Sequence, residues 1–290
     1  MTMTQFIPWN SQPLDSWARQ HEPGVSIELD GRRTHYVEKG EGEPVILLHG
    51  FFFDSMLWAA NIDALAQHFK VYALDLWGSG YSTREPLDYG YPLFASQLLQ
   101  FMDRLGIARA SLVGQSMGAG TAIQFCVQQR QRVHKLVLVD AAGLPNSLPF
   151  GAKIFNLPGV GELFMGLKTD AVRKKGLGDA FLHNRALITD RFFESVTRAQ
   201  KIQDTTRVGM TIMRKQFFDK LSGEIQRLAQ MEVPTLIVWG REDKSIPLRV
   251  GQELHRILKG SRLEILDEAG HVPNVDRAEE FNRLAIDFLR

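Results

Sequence analysis

The sequence holds a single cysteine, Cys126, which excludes an internal disulfide framework. Cys126 sits among Ile123, Phe125 and Val127, so the role expected for it is that of a small buried hydrophobe. Charge of either sign is not in surplus: 34 Lys and Arg against 33 Asp and Glu leave a net charge of +1. That balance argues against a polyanionic partner such as nucleic acid, which calls for a strong basic excess or cluster. The short basic run Arg173-Lys174-Lys175 reads as a solvated helix face. No stretch is apolar for long enough to cross a membrane. The first twenty residues contain Trp9, Asp15, Trp17 and Arg19 and lack the continuous apolar core of a secretory signal. The expectation is a soluble, cytoplasmic protein. Internal repeats and low-complexity segments are also missing.

With 290 residues and 44% hydrophobic content, the chain can bury a sizeable core as one large domain, with or without an insertion. Short apolar runs alternate with longer amphipathic ones, as in a mostly parallel sheet with helices on both faces. The strand candidates are Val25–Leu29, Thr34–Glu38, Pro44–Leu48, Lys70–Leu74, Ala110–Val113, Lys135–Val139, Thr235–Trp239 and Arg262–Leu266. Helices are predicted over Trp58–His68, Phe94–Leu105, Met117–Gln129, Leu248–Leu258 and Ala278–Leu289. Residues 146–228 break the alternation, with apolar residues such as Phe150, Ile154, Phe155, Leu167, Phe181, Phe192, Phe193, Met210 and Phe217 at helical spacings. This segment reads as a helical cap inserted after the sixth strand, between a first core segment (25–145) and a second (229–290). Glycines and Pro158 cut its helices short, so some apolar faces are expected to line a pocket rather than pack on one another. Residues 1–24 read as an arm that packs on the domain, since Phe6, Trp9 and Trp17 would be costly to leave in water.

The chemistry concentrates at Gly114-Gln115-Ser116-Met117-Gly118, which follows a strand-like run and opens a helix-like one. A serine hydroxyl is a weak nucleophile at neutral pH and needs a base beside it, held clear of its own backbone on a sharp turn. Gly114 and Gly118 lack the Cβ atoms that would collide as strand and helix close around Ser116. The base expected is His271, in Ala269-Gly270-His271 after the last strand. The acid expected is Asp243, just past Thr235–Trp239, accepting the other ring N–H and fixing the tautomer. Glu242, its neighbour, and Asp140, at the end of an earlier strand, are competitors. His49-Gly50 follows the third strand and precedes Phe51-Phe52-Phe53. The Phe51 N–H and the Met117 N–H are the expected donors to a tetrahedral oxyanion, the latter aided by the helix dipole. His49 itself reads as structural.

In this order, serine, acid and histidine with the His-Gly pair ahead of them, the chain resembles the α/β-hydrolase superfamily over roughly residues 25–290. Asp75-Leu76-Trp77-Gly78-Ser79-Gly80-Tyr81-Ser82 adds to the resemblance, and these residues read as structural. The resemblance implies eight strands, a serine hydrolase with Ser116, Asp243 and His271 as triad, and no metal or organic cofactor. The serine nucleophile disfavours epoxide opening and halide displacement, which in this superfamily use aspartate. Phe52, Phe53 and Trp58 are the expected substrate-binding side chains, and the apolar surroundings favour a small hydrophobic ester or lactone. A carboxylesterase is the first expectation. The chain is also similar to hydrolases that cleave carbon–carbon bonds in ring-cleavage products of aromatics, although it departs from them at Phe51-Phe52-Phe53 and at Val272. Lactone hydrolysis and cofactor-free perhydrolysis need no different machinery, and a receptor for a small apolar ligand is the reading from outside enzymology.

Overall fold

The computed structural model describes residues 6–146, 156–166 and 170–290, so Phe150, Ile154, Phe155 and Leu167 of the expected cap lie outside the described residues. Eight strands form one sheet: β1 (Val25–Leu29), β2 (Arg32–Lys39), β3 (Pro44–Leu48), β4 (Lys70–Leu74), β5 (Ala110–Gln115), β6 (Val133–Val139), β7 (Thr235–Gly240) and β8 (Arg262–Leu266). Their spatial order is β1-β2-β4-β3-β5-β6-β7-β8. The first two pairings, β1 with β2 and β2 with β4, are antiparallel, and the other five are parallel.

A parallel strand covered on both faces must be apolar on both, and here the two-residue period of the strand sorts side chains into two cores. Ile46 and Leu48 of β3 and Leu136 and Leu138 of β6 belong to one core. Val45, Leu47, Val137 and Val139, one residue out of phase, belong to the other. The first core is closed by the helices Tyr91–Arg104, Met117–Gln128 and Leu248–Ile257, and the second by Ala59–Leu65 and Ala278–Leu289. Cys126 is fully buried, and burial pushes its thiol up to about 11, which suits the packing role expected of it.

Between β6 and β7 the described residues are helical: Val160–Met165, Asp170–Ala180, Asp190–Thr197, Thr205–Arg214 and Ser222–Leu228. The arm ahead of β1 folds as the helix Leu14–His21 with Trp9 and Trp17 buried, while Phe6 stays exposed at 40%. Phe6 thus departs from the expectation for the arm, because neither apolar cluster that receives the two tryptophans includes it. The basic run departs too. Arg173 is half-buried, with its guanidinium 3.9 Å above the Trp9 ring, rather than part of a solvated face.

Candidate active site

Ser116 lies on the turn from β5 into the helix Met117–Gln128, with φ 51° and ψ −114°. A positive φ is strained for a residue with a Cβ, and here the surrounding backbone enforces it. Ser116 N–H donates to Val139 O (2.9 Å), and Ser116 O accepts from Gly120 N (3.1 Å) and Ala142 N (3.2 Å). The turn is tight enough to demand glycine on both sides. A methyl on Gly114 would come within 2.5 Å of Gly118 O, and one on Gly118 within 2.1 Å of Leu48 O.

His271 reaches this serine from the loop after β8. Its Nε2 is 3.0 Å from Ser116 Oγ and its Nδ1 is 2.7 Å from Asp243 Oδ2. The other oxygen of Asp243 accepts two backbone N–H groups, from Ser245 (2.7 Å) and Ile246 (2.9 Å), so the carboxylate cannot swivel. Asp243 and His271 are buried, whereas Ser116 is partly open. Of the two competing acids, Glu242 turns away to accept from Ala269 N (3.0 Å).

Asp140 comes closer. It ends β6 fully buried with φ 41°, accepts from Gly240 N (3.0 Å), and offers an oxygen within 4.8 Å of ligand atoms of both Asp243 and His271. Its second oxygen has no hydrogen-bond partner among the described residues. Burial and the Asp243 charge push its carboxyl well above the ordinary carboxylate range, so it is held neutral beside the acid that pairs with the histidine. These three residues have metal-ligand spacing, but both ring nitrogens of His271 are already taken, by Asp243 and Ser116.

The loop after β3, where the oxyanion donor Phe51 is expected, abuts Ser116. A methyl on Gly50 would stand 3.2 Å from Ser116 Cβ and 2.0 Å from Gln115 Oε1. Phe51 follows Gly50 directly, and Met117 is the first residue of the helix, where backbone N–H groups have no acceptor within the helix. His49 is fully buried with Nδ1 at 2.8 Å from Gly50 O and Nε2 accepting from Leu76 N (3.0 Å). Burial lowers its pKa, which keeps the neutral ring that this donor and acceptor pair requires.

Below the loop, Asp75 accepts from Ser55 N (2.7 Å) and Tyr81 N (2.8 Å) and lies 2.6 Å from His35 Nδ1. Burial alone would raise its carboxyl, but the charge and hydrogen bond of His35 outweigh it and bring the pKa down to about 2. Gly78 and Gly80 take positive φ in the same turn.

A cavity of about 150 Å³ opens beside His271, lined by Phe181, Leu182, His183, Arg185, Glu242 and Lys244 among others. The Phe181 ring centroid is 5.9 Å from His271 and 5.1 Å from Phe53. Of the expected substrate-binding side chains, Phe52 is half-buried and lines a smaller cavity of about 30 Å³ with Phe51, Phe53 and Gly209. Phe53 is buried at 5% exposure. Trp58 corrects the expectation: it is fully buried in the second core, 6.1 Å from the Phe281 ring, and lines neither cavity. Its position before the helix Ala59–Leu65 turns it inward, beneath the sheet rather than toward the serine.

One residue that pattern reading passed over is Gln115, the variable position ahead of the serine. It is fully buried and donates from Nε2 to His271 O (2.7 Å), tying the histidine loop to the elbow. No local sequence signal marks it, because its partner lies 156 residues away.

The family model for the alpha/beta hydrolase fold matches residues 43–278. The chain belongs to this family. Within the α/β-hydrolase family it is 31% identical over 270 residues to a 2-hydroxy-6-oxo-6-phenylhexa-2,4-dienoate hydrolase of Comamonas testosteroni, covering 91% of this chain and 93% of the relative. It is 27% identical over 275 residues to a 2-hydroxy-6-oxo-2,4-heptadienoate hydrolase of Pseudomonas putida, covering 92% and 96%. Among solved structures, a meta-cleavage product hydrolase from Pseudomonas fluorescens IP01 superposes with a TM-score of 0.77 at 28% identity, covering 91% of this chain and 97% of the other. No described helix is long and apolar enough to cross a membrane.

Proposed function

We propose that the protein is a serine hydrolase in which Ser116 attacks a substrate carbonyl, His271 takes and returns the proton, and Asp243 holds the imidazole. The hydrogen-bonded run from Asp243 through His271 to Ser116, at 2.7 and 3.0 Å, carries this reading. As the tetrahedral intermediate forms, the Phe51 and Met117 N–H groups would receive its oxyanion. Collapse expels the leaving group with the proton from His271, leaving Ser116 esterified, and water activated by the same imidazole completes the cycle.

For the substrate class we favour a small hydrophobic carboxylic ester or lactone. Phe181 and Leu182 give the cavity at His271 an apolar wall beside the ionisable Asp179, His183 and Glu242, and no buried cation lines it among the described residues. Lys244 and Arg185 are exposed at its rim. The second reading is hydrolysis of a carbon–carbon bond in a ring-cleavage product, and the relatives named above favour it. Such a dienoate carries a carboxylate, for which rim cations such as Lys244 would be the partners.

Wild type and Ser116→Ala, assayed on a short-chain p-nitrophenyl ester, a lactone and a vinylogous diketone, test both readings. Turnover should fall by at least about a thousandfold in the variant on whichever substrate the wild type accepts. Equal turnover in the two proteins would dispose of the mechanism, and the preferred member of the panel decides between ester and carbon–carbon cleavage.

A further inference from the structure

The oxyanion loop carries a second strained residue. Phe52 has φ 67°, a left-handed conformation that a bulky side chain adopts only when its surroundings hold it there. Two contacts from the cap do so. Gln200 Nε2 donates to Phe52 O (3.0 Å), and the helix Thr205–Arg214 lies against the ring, where a methyl on Gly209 would be 3.4 Å from Phe52 Cε1. Gln200 is in turn fixed from behind. Arg173 Nη1 donates to Gln200 Oε1 (2.6 Å), and because a guanidinium can only donate, the amide must present its NH₂ to the Phe52 carbonyl.

Arg173 also donates to Met165 O (2.6 Å) and stacks on Trp9 at 3.9 Å. Burial lowers its pKa to about 10, so it remains a cation at neutral pH. Trp9 belongs to the arm, whose backbone is stitched to the same stretch of cap: Asn10 N donates to Gln200 O (3.2 Å), and Ser11 N and Gln12 N donate to Lys201 O (2.7 and 2.8 Å).

We propose that Gln200 is a positioning residue for the oxyanion loop, set in place by Arg173 and Trp9, so that the N-terminal arm takes part in turnover through the cap. The Gln200 amide acts on the carbonyl of Phe52, and Phe52 adjoins the N–H that receives the oxyanion. The inference rests on the serine-hydrolase reading above and adds to it a route by which arm and cap set the geometry of transition-state stabilisation.

The test is Gln200→Glu, which keeps an oxygen for Arg173 and thus the packing, but turns a carboxylate oxygen on the Phe52 carbonyl. On p-nitrophenyl butyrate, kcat should fall about tenfold with KM within about twofold, since a displaced oxyanion donor costs transition-state binding more than substrate binding. Affinity for a trifluoromethyl ketone, whose adduct with Ser116 places an oxyanion in the same position, should fall by the same factor while the thermal midpoint holds. Trp9→Ala should shift kcat and inhibitor affinity in the same direction by a smaller factor. An unchanged kcat in Gln200→Glu, or a loss of kcat without loss of inhibitor affinity, overturns the proposal. Ser116→Ala run alongside separates the two readings: activity surviving in that variant sinks the serine mechanism itself, whereas an inactive Ser116→Ala beside a fully active Gln200→Glu sinks only the role of Gln200.

Discussion

Replacing Asp243 by asparagine removes one charge and changes almost nothing in shape, yet the structure dictates a large effect. Oδ1 of Asp243 is gripped by the N–H groups of Ser245 and Ile246, so an asparagine must place its carbonyl oxygen there and its NH₂ toward His271. That NH₂ is a donor, and it forces Nδ1 of the imidazole to accept. The ring proton then moves to Nε2, which faces Ser116 Oγ at 3.0 Å and can no longer take the serine proton. A triad locked in the wrong tautomer loses about 10⁴ in kcat, equivalent to about 5 kcal/mol of transition-state stabilisation. Steady-state hydrolysis of p-nitrophenyl butyrate by Asp243→Asn, with near-ultraviolet circular dichroism to check the fold, measures it directly. A loss smaller than about tenfold would refute the tautomer argument. If Asp140→Ala proved the more damaging change, the acid itself would be misassigned.

Asp140→Asn is expected to affect stability more than turnover. The folded protein keeps the Asp140 proton while the unfolded chain loses it above the ordinary carboxylate pKa, so wild-type stability declines as pH rises from about 4 toward the raised folded value. An asparagine is neutral at every pH, and urea unfolding from pH 4 to pH 8 should show a flatter dependence in the variant; an unchanged slope would mean Asp140 is ionised in the fold. Trp58→Ala should cost about 3–5 kcal/mol of stability, as a large cavity in the second core, with kcat of the remaining folded protein near that of wild type. Denaturant midpoints and active-site titration separate those two quantities, and a specific loss of kcat would return Trp58 to the substrate pocket.

Much of the sheet is legible in the residues because β3, β6 and β7 carry the apolar runs Val45–Leu48, Leu136–Val139 and Leu236–Trp239, as a strand covered on both faces requires. β2 is longer than its apolar centre, since Arg32, Arg33 and Lys39 pair through backbone alone and their side chains give no strand signal. The helix Tyr91–Arg104 starts three residues before its expected beginning at Phe94, because Pro92 fits a first turn rather than breaking it. Ahead of Ala59–Leu65, Asp54 accepts from Met56 N and starts a short 3-10 turn at Ser55, which a helical period beginning at Trp58 does not reveal. At the site, local motifs and chain order pick out Ser116, His271 and Asp243, which the structure brings into one hydrogen-bonded run. Asp140 beside Asp243, Gln115 on His271 O and Gln200 on Phe52 O are not so marked, for each depends on a contact across about a hundred residues or more.

One carboxylate clips the helical segment between β6 and β7 to the histidine loop. Asp276 accepts from Gly270 N (2.8 Å) on one side and from His183 N and Asn184 N (both 3.0 Å) on the other, and Ser245 Oγ donates to Ala180 O (2.8 Å) close by. The corner of the molecule above the imidazole is therefore a pillar rather than a door. His183 also lines the cavity beside His271, so a bulky group grafted at position 183 would load the pillar and crowd that cavity at once.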